Sequence, residues 1–234
     1  TNRARIYAIG CHIIRCRKRI RGMQLTERPS KRSQIEVETN GYKRLIARLE
    51  DAASPAAPHF VWLGGFRSDM VGSKAESLSR WCTKNGYGCT RFDYSGHGWS
   101  GGAFVDGSIS IWTEETLAVV NKIEAEKIFL VGSSMGGWIA LRVFQEMQAL
   151  GKPERLAGLI LIAPAPDFAT ELMAPKFTDA QSALLESQGY FDEPSEYSSE
   201  PVTITAKLIE DGAKNTVLDK NLHLGVPFFV IQGM

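Results

Sequence analysis

The five residues Gly132-Ser133-Ser134-Met135-Gly136 put a serine at the centre of a G-x-S-x-G pattern. Before them stands the apolar run "KIFLV", and after them the stretch "GGWIALRVFQEMQAL". That order reads as strand, sharp turn and helix. Such a turn lifts the central hydroxyl to the carboxyl end of a sheet, where it can attack a carbonyl carbon. The same geometry aims the Met135 N–H and the helix N-terminus at the place where the oxyanion would form. Glycines on both sides are needed because the strand and helix backbones pass too close for a Cβ. An inert serine in a tight turn is the bland alternative, and the strand-and-helix setting argues against it. Ser133 lies off the motif centre and is expected to support the turn.

A second oxyanion donor is expected in the loop after "HFVWL", where Gly64-Gly65-Phe66 lets the Phe66 N–H turn into the site. Arg67 and Asp69 follow; an ion pair within the loop is the simpler expectation, contact with substrate the other. A serine hydroxyl also needs a base. His97, in "DYSGHGWSGG", is flanked by glycines and reads as part of a tight structural loop. Asp167, at the carboxyl end of "LILIAPA", is the internal candidate for an acid, but it completes nothing without a histidine.

The elements that must position these groups follow from periodicity. "SQIEVETNGYKRLIARLE" holds two alternating runs around Asn40-Gly41, which predicts an antiparallel hairpin at a sheet edge. Strands then alternate with helices: "HFVWL", a helix over "SKAESLSRWCTKNG" closed by Gly86, "GCTRFDY", a helix from about Ser110 to Lys122, and "KIFLV". In the helix after the turn, Ala140, Val143, Phe144, Met147 and Leu150 fall on one face. Gly151 and Pro153 end it. "LAGLILIAPA" and "VPFFVIQGM" are two further strands. Short continuous apolar strands between helices predict an α/β fold with a mostly parallel sheet.

Residues 166–224 break this rhythm and are too long for a plain connection, so they read as a partly helical cap or lid. Its apolar Phe168, Leu172, Met173, Phe177 and Phe191 could line an acyl pocket or pack the lid on the core. Residues 1–33 form a basic extension and residues 34–234 the folded domain. Between residues 1 and 34 the only acid is Glu27. An extension outside the fold is the simplest reading. An organelle transit peptide, an anionic-surface contact or a true start at Met23 are the others.

With 234 residues, 44% apolar and 23% charged, the chain suits one globular domain. A net charge of +1 argues against a nucleic-acid partner. No apolar run has the length of a membrane span. Cys11, Cys16, Cys82 and Cys89 lack metal-ligand spacing and read as free thiols, with no metal or cofactor implied. A cytoplasmic location is expected, with the mitochondrial matrix as the alternative if the basic segment is a transit peptide.

From residue 60 onward the sequence resembles the α/β-hydrolases. The blocks "WLGGFRSDMVGSKA", "RFDYSGHGWSGG" and "LVGSSMGGWIAL" resemble the branch containing the mitochondrial palmitoyl-protein thioesterase/acyl-glucuronide esterase and its bacterial relatives. The resemblance implies an α/β-hydrolase fold with an antiparallel N-terminal hairpin and a cap. It makes Ser134 the nucleophile, the Phe66 and Met135 N–H groups the oxyanion hole, and the Asp93 loop structural. It also implies the chain order serine, acid, histidine, with the acid after the strand "PFFVIQGM". The chain ends at Met234, so the last strand and helix, the acid and the histidine are expected to be missing from it. His223 is the only histidine after Ser134, and it precedes that strand.

The implied chemistry is cleavage of a small-molecule acyl ester or thioester, or of an acylated protein, through an acyl-enzyme. A noncatalytic binding protein on the same fold, and an acyltransferase or peptidase on the same site, remain rivals. Nothing in the sequence sets the oligomeric state.

Overall fold

The computed structural model describes residues 30–39, 42–194, 201–219 and 222–233. The basic N-terminal segment to residue 29, with His12, Met23, Cys11 and Cys16, lies outside the described residues, as does the Asn40-Gly41 turn.

Strands β1 (Lys31–Thr39) and β2 (Tyr42–Asp51) pair antiparallel along their whole length, from Lys31 opposite Glu50 to Thr39 opposite Tyr42. β1 therefore takes in three residues assigned by sequence to the extension. β2 also pairs antiparallel with β4 (Gly88–Phe92). From there β3 (His59–Leu63), β5 (Ile128–Ser133), β6 (Leu156–Ile162) and β9 (Phe228–Ile231) continue the sheet in parallel. The seven strands lie in the order β1-β2-β4-β3-β5-β6-β9. This is the mostly parallel sheet with an antiparallel edge that the sequence predicts.

Alternation along the central strands splits the core between the two faces. Val61 and Leu63 of β3 join Ile128, Leu130, Leu159 and Leu161 beneath helices α2 (Ile109–Asn121) and α3 (Met135–Ala149). Phe60 and Trp62 face the other way, toward Ala75 and Cys82 of α1 (Ser73–Asn85) and toward Cys89. Cys82 and Cys89 are free and buried, as expected of unpaired thiols. Gly86 closes α1 in the left-handed region, at φ 74°. In α3 the predicted face is buried at Ala140, Val143, Phe144 and Met147. Leu150 departs from it and is 62% exposed, because the helix ends at Ala149 and Leu150 already turns out with the cap.

Between β6 and β9 the chain forms a π-helical turn (Ala169–Met173), α4 (Asp179–Gln188), a two-stranded antiparallel ribbon of β7 (Tyr190–Glu193) and β8 (Val202–Thr205), and α5 (Ala206–Lys214). Residues 195–200 and 220–221 of this stretch are outside the described set. α5 is tied tightly to the core. A Cβ on Gly212 would stand 3.2 Å from the Trp138 ring. Asp211 accepts from the backbone and hydroxyl of Ser110 at 2.8 and 2.7 Å, and Trp138 Nε1 donates to Asn215 O at 2.9 Å. At the other margin β9 leaves Phe229 and Ile231 more than half exposed.

Candidate active site

Ser134 stands between β5 and α3 with φ 54° and ψ −118°, a conformation that a side-chain-bearing residue adopts only when its surroundings force it. The forcing is visible in the glycines. A Cβ on Gly132 would lie 2.2 Å from Gly136 O, and one on Gly136 would lie 2.1 Å from Leu63 O. The turn is held from outside by Ser134 N–H donating to Ile162 O (3.0 Å) and by Ala165 N–H donating to Ser134 O (3.1 Å). Met135 opens α3, so the first N–H groups of the helix point out of its N-terminus without intrahelical acceptors. Ser133 is the last residue of β5 and pairs with Ile162, which places it in the sheet rather than at the turn tip.

The loop after β3 comes up against this turn. A Cβ on Gly65 would meet Ser133 O and Ser134 Cβ, both at 3.4 Å. Ser68 N–H donates to Gly65 O at 3.0 Å, closing a four-residue turn in which Arg67 has φ 59°. Because the Gly65 carbonyl and the Phe66 N–H share one trans peptide plane, this bond turns the Phe66 N–H away from Ser68. The Phe66 ring packs edge-on against Phe104, Phe168 and Trp112. The ion pair expected within the loop is replaced by other contacts. Arg67 Nη1 donates to Pro201 O at 2.9 Å, and Asp69 Oδ1 accepts from the Val71 N–H at 3.0 Å. A cleft of about 380 Å³ opens beside Arg67, with walls from His97, Phe104, Val105, Pro201 and Thr203 rather than from Ser134.

The Asp93 loop underpins both. Asp93 Oδ1 accepts from Met70 N–H (2.7 Å) and Oδ2 from Trp99 N–H (2.8 Å). Burial raises its pKa, and the two N–H groups oppose that rise. His97 is buried with both ring nitrogens occupied. Nδ1 lies 3.1 Å from Ser95 O, and Nε2 accepts from the Arg67 N–H at 3.2 Å. Burial lowers its pKa, so the neutral ring is favoured.

The other described histidines are far from this turn. His59, at the opposite end of β3, shares a hydrogen bond with Thr90 Oγ1 at 2.8 Å. The His223 carbonyl meets Gln148 near the last turn of α3, about 20 Å along the helix from Met135 at 1.5 Å per residue. Asp167, buried at φ 55°, spends its carboxylate on the backbone N–H groups of Val217 and Leu218. It joins the cap segment to the end of β6. Among the described residues no cluster suited to a metal occurs, and no helix is long and apolar enough to cross a membrane.

Glu115 escapes notice in the sequence. It is fully buried on α2, where Oε2 accepts from the Ser95 N–H at 2.9 Å and Oε1 lies 3.9 Å from Arg44 Nε. Burial pushes its pKa up to about 7, against the Ser95 and Arg44 contacts. The signal is its spacing from Ile111 and Trp112, four and three residues earlier, which puts a carboxylate on the apolar stripe.

Comparison with known proteins fits this geometry. The family described as serine aminopeptidase S33 (Hydrolase_4) matches residues 67–192. The human mitochondrial palmitoyl-protein thioesterase ABHD10 is 30% identical over 182 residues, 76% of this chain and 56% of that protein. The rat protein of the same name is 30% identical over 200 residues, 85% of this chain and 63% of that one. The chain thus spans little more than half the length of these curated relatives. A solved structure described as "Putative hydrolase from Agrobacterium vitis S4" is 47% identical with a TM-score of 0.83, covering 87% of this chain and 78% of that one. Mouse α/β-hydrolase domain-containing protein 10 is 26% identical with a TM-score of 0.70, covering 86% and 78%. By sequence and by fold the chain belongs to the α/β-hydrolases, within the serine aminopeptidase S33 family.

Proposed function

We propose that this protein cleaves acyl esters or acyl thioesters through an acyl-enzyme formed on Ser134. The observation that carries the reading is the conformation of Ser134, held at φ 54° between Gly132 and Gly136 with Gly65 packed against it. Strain of this kind persists where the surroundings over-determine it, and here it leaves a half-buried hydroxyl at the carboxyl ends of β3 and β5. In the proposed reaction the Ser134 oxygen adds to the acyl carbon, and its proton passes to a general base. The Met135 and Phe66 N–H groups hold the oxyanion. Collapse breaks the C–O or C–S bond, the alcohol or thiol leaves with the proton, and water then hydrolyses the acyl-serine.

The substrate class follows from the relatives named as palmitoyl-protein thioesterases and from the apolar side chains around Phe66. A small acyl ester, an acyl thioester or an acylated protein all present the same carbonyl. Residues 166–224 are proposed as the cap that covers it. Phe168 is buried and packs on Phe66 and Trp138, while Leu172 is 53% exposed. The relatives named as mitochondrial favour the matrix alternative, and nothing supports the cytoplasmic expectation.

The test uses the full-length gene product with a fluorophosphonate probe, p-nitrophenyl acyl esters, an acyl thioester and a peptide amide. Labelling at Ser134 and turnover of the first two substrate types are expected, with both lost in Ser134→Ala. Labelling that survives in Ser134→Ala would move the nucleophile, with Ser133 the first residue to examine. Comparable rates on the peptide would favour the peptidase reading instead. Probe-unreactive, folded protein would favour a noncatalytic binding role.

A further inference from the structure

We infer that the outer edge of β1 is a self-association surface, on which a second copy of this chain lays its own β1 antiparallel, with Arg32 of each copy beside Glu38 of the other. β1 stands first in the sheet order and has a neighbour, β2, on one side only. It is nine residues long and runs opposite β2 without a bulge. Among the described residues no backbone group outside β2 bonds to it. Long edge strands are commonly blunted by proline or a bulge. The strand Lys-Arg-Ser-Gln-Ile-Glu-Val-Glu-Thr has neither, and no glycine.

Which backbone groups of β1 face outward follows from β2. Ala47 C=O accepts from Asp93 N–H at 3.1 Å, Ala47 N–H donates to Ser100 Oγ at 2.8 Å, and Leu45 C=O accepts from Gly101 N–H at 2.9 Å. These groups all point to the β4 side, away from β1. Gln34 lies opposite Ala47 and Glu36 opposite Leu45. In an antiparallel ladder such pairs exchange no hydrogen bond, so Gln34 and Glu36 turn their own groups away from β2. By the period of two, Arg32, Gln34, Glu36 and Glu38 all present N–H and C=O to the open edge. A second β1 that sets Ile35 on Ile35 pairs Arg32 with Glu38 and Gln34 with Glu36 across the dyad. That register uses every one of these outward groups.

Charge selects the second copy as occupant. β1 is basic at its start, with Lys31 and Arg32, and acidic at its end, with Glu36 and Glu38. Antiparallel self-pairing sets opposite charges side by side, whereas parallel pairing sets Arg32 on Arg32 and Glu38 on Glu38. Arg32, Gln34, Glu36 and Glu38 are exposed and share one face. On that face the Arg32 guanidinium lies over the Trp99 ring, 4.3 Å from its centre, which leaves in-plane N–H groups for a carboxylate. Glu36 is engaged by Lys43 at 3.1 Å, whereas Glu38 has no ion pair among the described residues. On the opposite face Ile35 meets its own copy and extends the core that it shares with α2. The contact is the same patch on both chains, so it closes at a dimer.

Sedimentation velocity of the full-length protein at about 50 µM should show a dimer, and a monomer there overturns the inference. Arg32→Glu and Glu38→Arg each set like charges together at two symmetry-related places, and each should raise Kd by roughly tenfold or more. Mixing the two variants restores both pairs in a heterodimer, so the mixture should associate about as tightly as wild type. Gln34→Pro removes an outward N–H and leaves the β2 ladder intact. It should therefore give a monomer that melts close to the wild-type temperature. A dimer indifferent to the charge reversals, no recovery on mixing, or a dimer that survives Gln34→Pro would each refute this edge. If the variants do not fold, hydrogen exchange on the wild type decides. The amides of Arg32, Gln34, Glu36 and Glu38 should slow as concentration rises through Kd, and exchange independent of concentration refutes the pairing. No arm of the test uses Ser134, so the hydrolase reading stands or falls separately.

Discussion

Both carboxylate oxygens of Asp167 accept from the backbone N–H of Val217, at 2.9 and 3.0 Å, and Oδ2 accepts also from Leu218 at 2.8 Å. The contact joins the chain just after β6 to residues fifty positions later, across most of the inserted segment. A carboxylate committed to backbone donors is a clasp and is poorly placed to orient a histidine.

Asp167→Asn should therefore act on stability. The amide keeps one acceptor and turns an NH₂ group toward donors, leaving a buried N–H unpaired. That costs about 1–3 kcal/mol. Urea denaturation of the full-length protein should show this loss, while fluorophosphonate labelling of Ser134 under native conditions stays within about threefold. Were Asp167 the acid of a triad, its replacement would instead cut turnover by about 10⁴.

Two glycines should fail in different ways. A Cβ on Gly136 would stand 2.1 Å from the Leu63 carbonyl, a backbone group that cannot swing aside. Gly136→Ala should thus disturb the turn itself, lowering melting temperature and Ser134 labelling together. Gly65 has more room, with Ser68 Oγ at 3.2 Å and Ser134 Cβ at 3.4 Å from the new atom. Gly65→Ala should leave the melting temperature nearly unchanged and slow labelling by roughly tenfold, through misplacement of the neighbouring Phe66 amide. Parallel losses in both variants would mean that Gly65 serves folding alone.

The contrast between these residues shows what the sequence could tell. The elbow was legible because glycine spacing, an apolar strand and an amphipathic helix all point to one local geometry, and β5, Ser134 and α3 follow it. The N-terminal hairpin was legible from alternation, down to its place at the sheet edge. Contacts made across long loops were not. Asp167 and Val217 are fifty residues apart, and no periodicity joins them. Arg67 looked like a partner for Asp69 because the two are close in sequence, yet its guanidinium reaches Pro201 on a different segment. The glycines around His97 pointed to a tight structural loop, but what its Nε2 holds is a matter of tertiary placement.

The last expectation concerns pH, through two buried groups of opposite sign. Burial lowers the His59 pKa from 6.5 to about 4, helped by Arg48 and opposed by Asp51. Below pH 6.5 the unfolded chain takes up a proton there that the folded chain refuses, so His59 costs stability as pH falls toward 4. Glu115 behaves inversely, its pKa raised from 4.5 to about 7. The folded chain keeps that proton after the unfolded chain has released it, so stability is full below pH 4.5 and is lost as pH rises through 7. Each slope is at most about 1.4 kcal/mol per pH unit, and between pH 4.5 and 6.5 they oppose one another. Glu115→Gln, which imitates the protonated acid, removes one of them. The stability of this variant relative to wild type should climb by about 1.4 kcal/mol per pH unit from pH 5 to 7, then level off. Asp93 and Asp167, also raised by burial, titrate alike in both proteins and drop out of the difference. Urea denaturation of both proteins at pH 5, 6 and 7 supplies the measurement, and a difference independent of pH would show that Glu115 is ionised throughout that range, with its charge held by Arg44 and the Ser95 N–H.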